Sequence, residues 1–149
     1  MDQNNAINVV ENLIETCQDG LKGYHDAAEH AKSPALKSYF NEQSAERARF
    51  AQELQRLLAT LGKPDKKVSG SAGGAMRRAW LDTKANLGGG EKTILESVEA
   101  GEDTAKDTYN QALSGTLPST LMEIVRRQAA SVQQAHDKVR MLRDEAKAA

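Results

Sequence analysis

Apolar residues recur in steps of three and four along most of this chain, the spacing that lines one face of an α-helix. Ile7, Val10, Ile14, Cys17, Leu21, Tyr24 and Ala28 form the first such stripe and predict a helix over residues 5–32. Ser33-Pro34 ends it, because proline disfavours helical geometry in the residue before it, while Ser33 can cap a new helix with Pro34 in its first turn. That second helix is expected over 34–61, with Leu36, Phe40, Gln43, Glu46, Phe50, Leu54, Leu57 and Leu61 inward and Gly62 and Pro64 as its stop. Residues 63–74, KPDKKVSGSAGG, read as a loop. Met76, Trp80, Thr83 and Leu87 share one side of a short helix over 72–87, capped by Ser71 and ended by Gly88-Gly89-Gly90, and the pattern predicts that Trp80 docks on the other helices. Two further stripes follow: Ile94, Val98, Glu102, Ala105, Tyr109 and Ala112 within 91–113, then Leu121, Val125, Gln128, Val132, Ala135, Val139 and Leu142 within 118–145.

Four long helices joined by two short connections and one long one point to an all-α bundle in a single domain over residues 1–149. The short connections require antiparallel neighbours, and the stretch from Gly62 to Gly90 is long enough to return along the bundle, so the expected order is up-down-down-up with the short helix in the crossover. A simple up-down-up-down bundle ranks second, since it leaves the crossover helix without a structural role.

Composition narrows the partners. Lys+Arg 20 against Asp+Glu 21 gives a net charge of −1, so neither nucleic acid nor an anionic membrane is expected to bind. No apolar run reaches the roughly 20 residues of a membrane span, and MDQNNAINVV lacks a basic segment followed by an apolar one, so a cytoplasmic address is expected. Cys17 stands alone on an apolar stripe and reads as a small core residue. Arg77, Arg78 and Lys84 around Trp80 read as a solvated helix face, and GSAGG lacks the Gly-Lys-Ser/Thr ending of a phosphate-binding loop.

The polar residues on the inward faces carry the candidate chemistry. Gln43, Glu46, Arg47 and Arg49 on the second helix, Glu102 on the third and Gln128 on the fourth fall near mid-helix, and the pairing across Ser33-Pro34 brings Gln18 or Asp19 of the first helix to the same height. A buried carboxylate in such a layer needs a partner, a proton or a metal. A di-iron bundle would offer one Glu from each of two helices and Glu-x-x-His from each of the other two. Here Glu46-Arg47-Ala48-Arg49 and Gln128-Ala129-Ala130-Ser131 stand at those places without a histidine. A paired Glu/Arg/Gln network without a metal is therefore expected. His25 and His136 are displaced toward one end of the bundle, where with Glu29 or Glu42, or with Glu46 and Glu102, they make an alternative zinc or iron site. Their simpler assignment is to half-exposed helix faces, and His30 reads as a charge near a helix C-terminus.

LIETCQDGLKGYHDAAEHA, SAERARFAQELQRLLATLG, GSAGGAMRRAWLDTKANL, ESVEAGEDTAKDTYNQAL and RRQAASVQQAHDKVRML together resemble a bacterial family of ferritin-like four-helix-bundle proteins with a domain of unknown function. The resemblance implies the ferritin-like fold and supplies no activity, and the superfamily's ligands do not carry over at Arg49, Gln128 or Ser131. The expectation is a non-enzymatic cytoplasmic protein with no cofactor, stress-associated by analogy with other small ferritin-like proteins. It would act through a homodimer or an unidentified protein partner. The alternative is an iron- or zinc-binding protein with oxidase or storage activity.

Overall fold

A computed structural model describes residues 3–63, 66–86 and 90–148, and these hold five helices: α1 (Gln3–His30), α2 (Pro34–Thr60), α3 (Ala72–Asn86), α4 (Gly90–Ser114) and α5 (Ser119–Ala148). No strand occurs among the described residues. Pro64, Leu87, Gly88 and Gly89, invoked above as helix stops or as part of the short helix's stripe, lie outside them. No described helix is long and apolar enough to cross a membrane.

The turn between α1 and α2 is built as its residues dictate. Ser33 is extended (φ −66°, ψ 124°), its Oγ accepts from the Leu36 amide at 3.3 Å, and Pro34 occupies the first turn. Glu91 on α4 reaches back to this turn, accepting from the amides of Ser33 (2.7 Å) and Lys32 (3.2 Å). At the other end of α2, Gly62 adopts φ +95°, a left-handed stop that any side chain would strain. Gly90, also left-handed at φ +71°, opens α4.

Contacts between the long helices run in opposite order along each adjoining pair. Leu21 meets Ser44 and Ala28 meets Lys37 across α1 and α2. Cys17 meets Tyr109, and the turn after α1 meets Glu91, across α1 and α4. Tyr109 meets Gln128 and Asp103 meets His136 across α4 and α5, while Glu53 meets Arg127 and Glu46 meets Ser131 across α2 and α5. The apolar interior forms two clusters, one around Leu13, Leu54, Tyr109 and Val125, the other around Tyr24, Phe40, Leu95 and Val139.

Two stripes face differently from the pattern expected of them. On α2 the deepest positions are Phe40, Arg47, Phe50, Ala51, Leu54 and Leu58, so the inward face is turned toward Arg47, and Leu57 and Leu61 are only half-buried. On α3 the expected stripe is wrong. Met76 and Trp80 are 73% and 60% exposed, and Leu81, at 2%, is the residue that enters the core. The cause lies in how α3 is fastened: Asp19 accepts from both the amide (2.8 Å) and the hydroxyl (2.5 Å) of Ser71, and the Ser71 Oγ accepts from the Gly74 amide at 3.0 Å. A Cβ on Gly74 would lie 2.3 Å from Asp19 Oδ1, so only glycine allows this approach. With Gly74 against α1, helical spacing turns Arg78 and Leu81 inward and carries Trp80 outward, where Lys84 Nζ sits 5.1 Å from its ring.

Candidate functional site

Between the two apolar clusters Arg47 of α2 and Glu102 of α4 are buried together, 1% and 2% exposed. Arg47 donates from Nη1 to Oε1 at 2.7 Å and from Nη2 to Oε2 at 2.5 Å, the bidentate fork that fits a guanidinium to a carboxylate. Burial pulls the Arg47 pKa down, but the charge of Glu102 and its hydrogen bonds push it further up, so the guanidinium stays cationic. Its Nε is buried without a partner among the described residues. The Tyr24 ring lies 5.5 Å from the guanidinium carbon, and burial, followed by the charge of Glu102, raises its phenol well above the ordinary value. Gly20 makes room on the other side, since a Cβ there would stand 2.9 Å from Nη1 and 3.2 Å from Cγ of Arg47.

A second polar chain runs from the ion pair's neighbours toward the surface. Tyr109 donates to Gln128 Oε1 at 2.7 Å, Gln128 Nε2 donates to Glu53 Oε1 at 2.8 Å, and Arg127 donates to the other oxygen of Glu53. With its proton committed to Gln128, the Tyr109 oxygen accepts from the Cys17 thiol at 3.1 Å. Burial outweighs this contact and pushes the thiol up to about 11, the opposite of what a nucleophile needs. Glu53 is held below its ordinary pKa: burial alone would raise it, and the donors Arg127 and Gln128 prevail. Nothing in the pattern of apolar positions marks Glu53, although it follows Glu46 by two helical turns and so shares its side of α2.

The remaining layer residues scatter. Glu46 accepts from Ser131 and from Arg49 (3.2 Å), with Arg49 itself exposed. Gln18 and Gln43 are half-buried. Asp19, expected level with Glu46, turns instead to the start of α3, with Arg78 Nη1 4.0 Å away. Between α1, α3 and α4 a cavity of about 50 Å³, bordered by Gly20, Gly23, Gly101 and Tyr24, has room for a few water molecules.

The histidines also depart from expectation. His25 is exposed beside Glu29 at 3.3 Å, whereas His136, expected on a half-exposed face, is buried and bonded to Asp103 (2.6 Å) and Asp137 (3.2 Å). They join no common ligand group with Glu29, Glu42, Glu46 or Glu102. The described residues bring together one set of three metal-capable side chains, Asp26, His30 and Asp82. His30, expected to be a lone helix-end charge, has Nε2 2.8 Å from Asp82 Oδ1. Asp26 is pushed up to about 6, first by burial and then by Asp82. Asp82 lies on the short helix, where the sequence gives no sign of a partner across the crossover.

No curated protein matches this chain. A family described as a domain of unknown function, DUF2383, matches residues 5–115, from the first turn of α1 to just past α4. The match covers most of the chain and takes in both Arg47 and Glu102, so the protein belongs to the DUF2383 family.

Proposed function

We propose that this is a ferritin-like up-down-down-up bundle whose metal-binding waist has become a structural ion pair, and that it works without catalysis, through association with a second copy or a protein partner. The reversed order of contacts between α1 and α2, α4 and α5, α1 and α4, and α2 and α5 supports the topology. The observation that carries the functional reading is Arg47 clamped on Glu102. A fixed cation at the waist repels a metal pair, and it already uses both oxygens of the most deeply buried glutamate there. The single pair of large apolar side chains exposed on α3, Met76 and Trp80, is the surface on which such an association would rest. A stress-associated setting accords with this reading and rests on the resemblance alone, and a cytoplasmic one rests on the sequence expectation.

The test is ferrous iron added to purified protein under air. The expected result is no oxygen consumption above buffer and no waist-bound iron. Two irons per chain, lost in Glu102→Ala, would overturn the reading. Light scattering should find a dimer for the wild type and a monomer for Trp80→Ser; a wild-type monomer sinks self-association. The alternative, an iron or zinc protein using Glu46, Glu102, His25 and His136, draws no support from the separation of the two histidines.

A further inference from the structure

Far from the waist, the last turn of α1 meets the last turns of α3 through three side chains. Asp26 and His30 are one helical turn apart on α1 and project from the same face. Asp82 reaches them from α3, and one ligand atom from each of the three lies within 4.8 Å of the others. His30 Nε2 is 2.8 Å from Asp82 Oδ1. The group is open on one side, with the His30 and Asp82 side chains 24% and 48% exposed. Asp26 Oδ2, by contrast, is shut off from solvent with no N–H or hydroxyl donor among the described residues, and the Asp26 and Asp82 carboxyls lie within hydrogen-bonding reach of each other. Two carboxyls so placed must share a proton or hold a cation between them. Arg78 Nη1 lies 4.0 Å from Asp19 without a hydrogen bond, and the guanidinium charge also acts on Asp82, while the imidazole faces Asp82.

We propose that Asp26, His30 and Asp82 form a mononuclear site for a divalent transition-metal ion. One imidazole and two carboxylates suit zinc, and equally manganese or ferrous iron, with water completing the shell from the open side. The ion would satisfy the orphaned oxygen of Asp26 and cancel the repulsion between the carboxylates. Because its ligands come from two elements, it would also fasten the crossover helix to α1. None of these residues belongs to the waist, so the site stands or falls separately from the ion-pair reading.

The experiment is zinc titration of chelator-stripped full-length protein by calorimetry at neutral pH. One zinc ion per chain is expected. His30→Ala and Asp82→Asn should each weaken binding more than about 100-fold, beyond the usual effect of losing a mere outer-shell partner. His25→Gln should leave it unchanged. Cobalt should give visible d–d absorption with the wild type and none with Asp82→Asn, and zinc should slow amide exchange in α3. Asp26→Asn, nearly the same shape, serves if His30→Ala loses its helical circular dichroism. Absence of zinc binding, or equal binding by wild type, Asp82→Asn and Asp26→Asn, overturns the site and indicates a proton shared between the carboxylates. Two irons lost with Glu102→Ala would instead strike at the waist, leaving this site untouched.

Discussion

Arg47 shows what a single residue does at the centre of this protein. Its neighbours on α2 include Phe50 and Leu54, and a cation among them is tolerated only because Glu102 answers it on both nitrogens. Arg47→Ala should therefore destabilise by about 3–5 kcal/mol in urea unfolding, since it leaves a buried carboxylate unpaired. The double variant Arg47→Met with Glu102→Leu should lie near the wild type, because removing both charges also removes their desolvation cost. A double variant as unstable as Arg47→Ala would show that the pair does more than neutralise itself. Gly20→Ala should cost about 1–3 kcal/mol, as a methyl 2.9 Å from Nη1 forces the guanidinium off Glu102. Cys17, with a thiol raised to about 11, should resist a disulfide reagent at pH 8 in the native state and react on unfolding; rapid native labelling would contradict its burial. Glu102 is legible in the sequence as an interruption of an apolar stripe, whereas Arg47 reads only as the neighbour of Glu46, which the spacing places inward. Gly20 is not legible, because the need for it arises from a side chain on another helix.

At the scale of the element, α3 behaves differently from the four long helices. It contributes Leu81 to the core and is otherwise held by polar contacts: Asp19 to Ser71, Arg78 beside Asp19, and His30 to Asp82. Asp19→Ala should remove the acceptor at the helix start and cost about 1 kcal/mol, the usual worth of a cap. Hydrogen exchange should quicken in α3 while α1, α2, α4 and α5 keep their protection; a uniform loss would mean that α3 unfolds only with the whole. Trp80, the one tryptophan of the chain, should emit as a solvent-exposed indole and be quenched by iodide when the protein is diluted to the monomer, and be shielded in the dimer. Resistance to quenching in a monomer would show it docked. The short helix itself, its Ser71 cap and its approximate bounds can be read from the sequence. Its orientation cannot, because an apolar spacing of Met76 and Trp80 is available for burial on either side, and the decision falls to Gly74 and Asp19.

For the whole molecule, the polar waist divides the interior into two apolar clusters and joins all four long helices by hydrogen bonds. One consequence concerns acid. Glu53 is held below its ordinary pKa of 4.5 by Arg127 and Gln128, so its contribution to stability is complete above that value and disappears as the pH falls through the lowered one. The difference in melting temperature between wild type and Glu53→Gln should be constant from neutral pH down to about 5 and shrink in more acid solution; a difference that grows on acidification would reverse the sign of the linkage. The helices, their caps at Ser33 and Gly62, and the presence of charges on inward faces follow from the order of residues alone, because helical periodicity and turn chemistry act over a few residues. Which charges meet is set by the packing of the helices. Arg47 faces Glu102, Asp19 leaves the waist for Ser71, His136 is buried beside Asp103, and His30 finds Asp26 and Asp82. A side chain's rotation about its helix and the partner it reaches depend on how whole helices pack, which no local spacing specifies.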